Sequence, residues 1–152
     1  RKKFSLKKIK IGHAGTLDPL ATGLLIICTG KFTKKIPELQ GQLKEYTGTF
    51  TLGATTPSYD LETEVNETFP IEIKSRKIEI LGFEITRISL PEVDFRVVCS
   101  KGTYIRSLAH DFGKALDSGA HLSKLRRTKI GDFNVDNATS PNVFKENLEV
   151  NA

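Results

Sequence analysis

No apolar run in this 152-residue sequence approaches the roughly 18 residues that suggest a membrane span. The longest, Leu24-Leu25-Ile26-Ile27-Cys28, is strand-sized, and the first residues lack the apolar stretch of a secretory signal. A soluble, cytoplasmic protein with no membrane partner is therefore expected. Cysteine is scarce too. Cys28 and Cys99 lie far apart in apolar or alternating contexts, which suits buried reduced thiols rather than a disulfide or a zinc pair. No internal repeat and no regular βαβ rhythm is present, so neither a solenoid nor a doubly wound sheet is indicated.

The net charge of +5 suggests a polyanionic partner, but the excess is concentrated at the start of the chain. Six of the first ten residues are basic: Arg1, Lys2, Lys3, Lys7, Lys8 and Lys10. These six exceed the whole net charge, so the remaining chain is not basic. A local arm of this kind steers and holds phosphates, or is simply a solvated tail.

From Gly12 to Gly23 the sequence is too broken by Gly and Pro for a regular element, and reads as a shaped loop. Leu24 to Thr29 then suits a buried strand ended by Gly30, and a short helix is predicted around Thr33 to Leu39. Between Tyr46 and Leu52, Tyr46, Gly48, Phe50 and Leu52 alternate with three threonines, the period of a half-buried strand. Ala54 to Asn66 reads as a long polar loop. Alternation returns at Ile78 and Ile80 and changes phase at Leu81, Phe83 and Ile85, predicting a bulge near Gly82.

Another strand is expected from Val93 to Ser100. Thr103 reads as the N-cap of a helix to Leu116, with Arg106 in its first turn. The basic stretch Lys124 to Lys129 precedes a short strand near Ile130 to Phe133, and Pro141 opens a last helix. Strands outnumber helices, which predicts an α+β domain built on a mixed, largely antiparallel sheet flanked by helices.

The run Gly12-His13-Ala14-Gly15-Thr16-Leu17-Asp18-Pro19-Leu20-Ala21-Thr22-Gly23 closely resembles the active-site loop of TruB-type tRNA pseudouridine synthases. Three later segments are similar to the family in order and spacing. They are Lys44-Glu45-Tyr46, Lys101-Gly102-Thr103-Tyr104-Ile105-Arg106-Ser107-Leu108, and Gly119-Ala120-His121-Leu122-Ser123-Lys124-Leu125-Arg126-Arg127. The resemblance implies the pseudouridine synthase catalytic core, with the T-loop uridine of tRNA, position 55, as substrate and the T stem-loop as partner. It implies a cofactor-free, metal-free reaction.

Such a reaction breaks the C1′–N1 bond, turns the freed uracil, and joins C5 to C1′. A carboxylate, ionised at neutral pH, serves as nucleophile or base without prior activation. An Asp before Pro is ordinarily a turn former, but the surrounding motif makes Asp18 the expected catalyst. Attack on C1′, attack on C6 and abstraction of a C2′ proton all use the same carboxylate and stay open.

By the resemblance, Arg106 would lie beside Asp18 in a charge-assisted, bidentate contact. Tyr46 would stack on the flipped uracil. His13 would hold the displaced stack, Tyr104 and Leu125 would line the uridine pocket, and Asp60 would lie near the flipped nucleotides. Without the motifs, these residues read as a core tyrosine, a solvated arginine and ordinary loop or core positions.

Family members also carry an upstream Lys-Pro-x-Gly strand and a longer tRNA-clamping insertion between the equivalents of Asn66 and Ser75. Here residues 67–75 run straight through. The intact protein is expected to carry these segments and to exceed 16.9 kDa. A single catalytic domain over 1–152 is expected, without a further C-terminal RNA-binding domain. It would act as a monomer with no obligate protein partner. Two other readings remain: a tRNA-binding module that opens and refolds the T arm, and a guide-RNA-dependent relative acting on ribosomal RNA.

Overall fold

The computed structural model describes residues 9–55 and 77–150. The expected acidic residue Asp60, the insertion point and most of the basic arm lie outside the described residues. Among those described, no helix is long and apolar enough to cross a membrane.

The chain opens with β1 (Ile11–His13), β2 (Thr22–Gly23) and β3 (Ile27–Thr29). A 3₁₀ segment over Gly30–Lys35 leads into the single-turn helix α1 (Ile36–Gln40), where the short helix was expected. The stretch before Gly30 departs from expectation. It is not a buried strand, because β3 pairs only with β1 in a two-stranded sheet that leaves Ile27 exposed and buries Cys28. With a partner on one side alone, the apolar run buries only alternate residues.

The main sheet comprises β2, β4 (Lys44–Leu52), β5 (Ile80–Ser89), β6 (Glu92–Cys99), β7 (Ala120–Ile130) and β8 (Phe133–Asn134), in the order β2-β7-β4-β6-β5 with β8 on β7. Among the described residues only β2 and β7 run parallel, so the sheet is mixed and largely antiparallel, as predicted. The phase change at Gly82 is a register shift in the β5–β6 ladder.

The basic stretch before Ile130 was misread. It lies inside β7, an eleven-residue strand beside the central β4. Register shifts between Glu45 and Tyr46 and between Thr49 and Phe50 place Leu122, Leu125, Arg127 and Ile130 inward at spacings of three, two and three. Bulges thus erase the period of two by which a strand is recognised.

On the inner face Phe50, Phe95, Val97 and Cys99 form the core with Leu122 and Leu125. Phe50 and Phe95 stack with ring centroids 4.1 Å apart. Helix α2 (Ile105–Ala115) lies over this face, burying Ile105, Ala109 and Gly113 at helical spacing. A Cβ on Gly113 would fall 2.6 Å from the Ala120 backbone nitrogen, so glycine sets how closely the helix approaches β7. Thr103 does not cap α2: the N-cap is Tyr104, and the Thr103 hydroxyl bonds the Ser100 carbonyl instead. The last helix, α3 (Pro141–Val150), begins at the proline as expected. Both cysteines are free and buried.

Candidate active site

The Gly12–Gly23 loop bridges the two sheets, entering from β1 and leaving through β2. Its polar backbone has few regular partners. Ala14 N–H bonds the Ile26 carbonyl, Leu24 N–H bonds the Arg127 carbonyl, and Ala21 N–H bonds the Asp18 carbonyl at 2.8 Å. The last bond closes a turn with Pro19 second in it, the position where proline's fixed φ is favoured. Asp18 is therefore both turn former and the carboxylate presented at the tip, about a third exposed. Gly23 has φ 110°, and a Cβ there would lie 2.2 Å from the Arg127 carbonyl oxygen. Only glycine lets the loop rejoin β7 so closely.

Arg106 approaches from the first turn of α2. Its Nε lies 3.7 Å from Asp18 Oδ2, with both side chains about a third exposed. The expected charge-assisted partner is in place, and the Nε–Oδ2 distance is that of an ion pair rather than a hydrogen bond. The shape of loop and helix still brings together two residues 88 positions apart in the chain.

Tyr46 projects from β4 on the inner face, packed against the apolar core beside Leu125, Leu20 and Ala21. Burial pushes its phenol above the ordinary 10.0, although facing Arg127 opposes the shift, so the hydroxyl stays protonated at neutral pH. Gly15, Thr16, Tyr46, Gly102 and Arg127 line a cleft of about 520 Å³. A second cleft of about 500 Å³ is bordered by Leu20 and Thr22 of the loop together with Leu125 and Arg126. Asp18 sits between the loop residues that reach each.

The other expected residues divide. Leu125 is core, only 5% exposed. Tyr104, just before α2, is 57% exposed, and His13 is an exposed end of β1. Among the described residues no cluster of His, Cys, Asp or Glu could hold a metal ion.

Two buried cations were not singled out in the sequence. Arg127, 2% exposed, donates from Nε to the Leu24 carbonyl at 2.9 Å, from Nη2 to Gly15 at 3.1 Å and from Nη1 to Thr16 at 3.3 Å. Lys44 donates to the Gln40 carbonyl, and burial followed by the nearby Arg127 lowers its ammonium below 10.5. In sequence each is one basic residue among many. Only the inward side of a bulged strand distinguishes them.

Residues 1–71 match the family model of the TruB family pseudouridylate synthase N-terminal domain, and residues 106–149 that of the tRNA pseudouridylate synthase B C-terminal domain. The chain is 58% identical to a Flavobacterium johnsoniae protein named tRNA pseudouridine synthase B, across 94% of this chain and 82% of the relative. A namesake from Phocaeicola vulgatus is 43% identical across 97% and 83%. Among solved structures, an H/ACA RNP bound to a substrate RNA containing 2′-deoxyuridine superposes with TM-score 0.70 at 35% identity. The archaeal box H/ACA sRNP Nop10-Cbf5 complex superposes at 0.66 and 33%. Both cover 88% of this chain, which spans 42% and 41% of theirs. The aspartate loop, the strands that hold it and these likenesses agree, and the chain belongs to the TruB family of pseudouridylate synthases.

Proposed function

We propose that this protein isomerises the T-loop uridine of tRNA, position 55, to pseudouridine, with Asp18 as the carboxylate that engages the flipped nucleotide. The observation that carries this reading is the Asp18–Arg106 pair, 3.7 Å apart, on a loop whose preceding residues Gly15 and Thr16 line a cleft with Tyr46. Arg106 places a positive charge beside the carboxylate and limits where it points. Tyr46 offers a flat face of uracil size, a stacking surface that gains from being largely desolvated. His13 and Tyr104, exposed nearby in the chain, are available to the nucleotides displaced when the base leaves the stem-loop.

The balance needs no co-reactant. The C1′–N1 bond breaks, the base turns without leaving, C5 bonds to C1′, and the proton lost from C5 is matched by one gained at N1. Attack at C1′, attack at C6 and C2′ proton abstraction each regenerate the carboxylate. Tyr46, protonated at neutral pH, enters as a donor or stacking group rather than as a standing phenolate.

The relatives at 43% to 58% identity are named as tRNA enzymes, which favours tRNA over a guide-RNA assembly as the target. We assign the chain tRNA as its partner and the cytoplasm as its place of action. The test is pseudouridine formation at single-nucleotide resolution in unmodified tRNA, with and without Asp18→Asn. Modification confined to the T-loop uridine and lost in the variant is expected. Tight tRNA binding with every uridine unchanged by the parent would replace the enzyme with a tRNA-folding module, and modification elsewhere would displace the substrate.

A further inference from the structure

Arg127 occupies a costly position. A guanidinium removed from water loses several kcal/mol of solvation unless its donors are met. Among the described residues, the donors of this one are met by three carbonyl dipoles rather than by a carboxylate.

The choice of carbonyls gives the reason. Gly15 and Thr16 precede Asp18 by three and two residues, and Leu24 follows it by six, so one rigid fork joins both arms of the loop. The backbone adds a fourth tie, from Leu24 N–H to the Arg127 carbonyl. Arg127 is also the direct cross-strand partner of Tyr46. The same guanidinium faces the phenol closely enough to oppose the rise that burial gives its pKa.

We infer that Arg127 is a positioning residue for the isomerisation, a buried splint that fixes the Asp18 loop against β7 and orients the Tyr46 hydroxyl in the same frame. Its donors are taken up by the loop carbonyls, so it acts through Asp18 and Tyr46 although it borders the cleft. It sets the distance between the carboxylate and the stacked base, a quantity on which rate depends steeply. This inference rests on the proposed tRNA reaction.

The experiment compares full-length Arg127→Lys with the parent in single-turnover pseudouridine formation, tRNA binding and amide hydrogen exchange across residues 14–24. Lysine keeps the charge but cannot bridge three carbonyls. The expected result is a rate about 100-fold lower with unchanged tRNA affinity, and faster exchange confined to the loop. Because Arg127 is buried away from phosphates, a fall in affinity without a fall in the bound-state rate would overturn the assignment. A variant with parental rate and parental loop exchange would do the same.

If the parent forms no pseudouridine, the proposed reaction fails, while the exchange data still decide whether Arg127 holds the loop. Should Arg127→Lys not fold, the parent's arginine side-chain NMR signals decide the matter. An Arg127 Nε–H that exchanges slowly and does not shift on adding tRNA supports a preformed splint. Rapid exchange, or a shift expected of a phosphate contact, refutes it.

Discussion

Asp18 and Arg106 face each other at 3.7 Å, the carboxylate on a turn tip and the guanidinium in the first turn of α2. At this distance and exposure the pair contributes little to stability. Its consequence is for reactivity, because the cation adds a directional restraint on the carboxylate at the turn tip.

Removing that restraint is expected to separate chemistry from binding. Arg106→Ala should lower the single-turnover rate of pseudouridine formation by about 100-fold, the scale on which misplacement of a reacting group is felt, while tRNA affinity changes far less. Rapid-quench assays at saturating enzyme measure the rate, and filter binding measures the affinity. Equal losses in both would make Arg106 an RNA contact.

Gly23→Ala addresses the loop from its other end. The added methyl group would meet the Arg127 backbone at 2.2 Å in a left-handed conformation that disfavours alanine. A loss of about 1–3 kcal/mol in urea unfolding is expected, together with loss of activity. Parental stability would mean that β2 does not need its close pairing with β7.

The aromatic core is predicted to be the largest single source of mutational loss. Phe95 is 1% exposed and stacks on Phe50 at 4.1 Å, so Phe95→Ala should cost about 3–5 kcal/mol by chemical denaturation. Ile88→Ala serves as the contrast. Ile88 is 68% exposed on the edge strand β5, and its loss should change stability by less than about 0.5 kcal/mol.

Stability should fall at both extremes of pH for identifiable reasons. Burial raises the Glu45 carboxyl, but bonds from Thr128 and Arg96, with Lys129 nearby, outweigh it and leave the group below its ordinary 4.5. The stability it contributes is therefore present above pH 4.5 and is lost as the pH falls through the lowered value. At the alkaline end Tyr46 is raised, so its neutral form favours folding below pH 10 and that advantage is lost as pH rises through the folded value. Urea midpoints across pH should show a shallower acid decline in Glu45→Gln and a shallower alkaline decline in Tyr46→Phe. Parallel profiles would assign both declines to other groups.

The sequence by itself determined the residues of the aspartate loop, the helix that carries Arg106, the central strand with Tyr46, and the mixed antiparallel class. Each has a local cause: glycine and proline punctuation, helical spacing, and uninterrupted alternation in Tyr46 to Leu52. The tertiary structure alone decided the rest. The Leu24 to Thr29 run is apolar enough to be buried on two faces, yet its single partner strand leaves Ile27 exposed. Thr103 has the chemistry of a cap but bonds the preceding turn. In β7, two bulges break the alternation, so the strand and its buried Arg127 cannot be read from local pattern. That strand's direction and inward face are fixed by pairing with β4, a relationship between residues about 80 positions apart that exists only once the sheet is assembled.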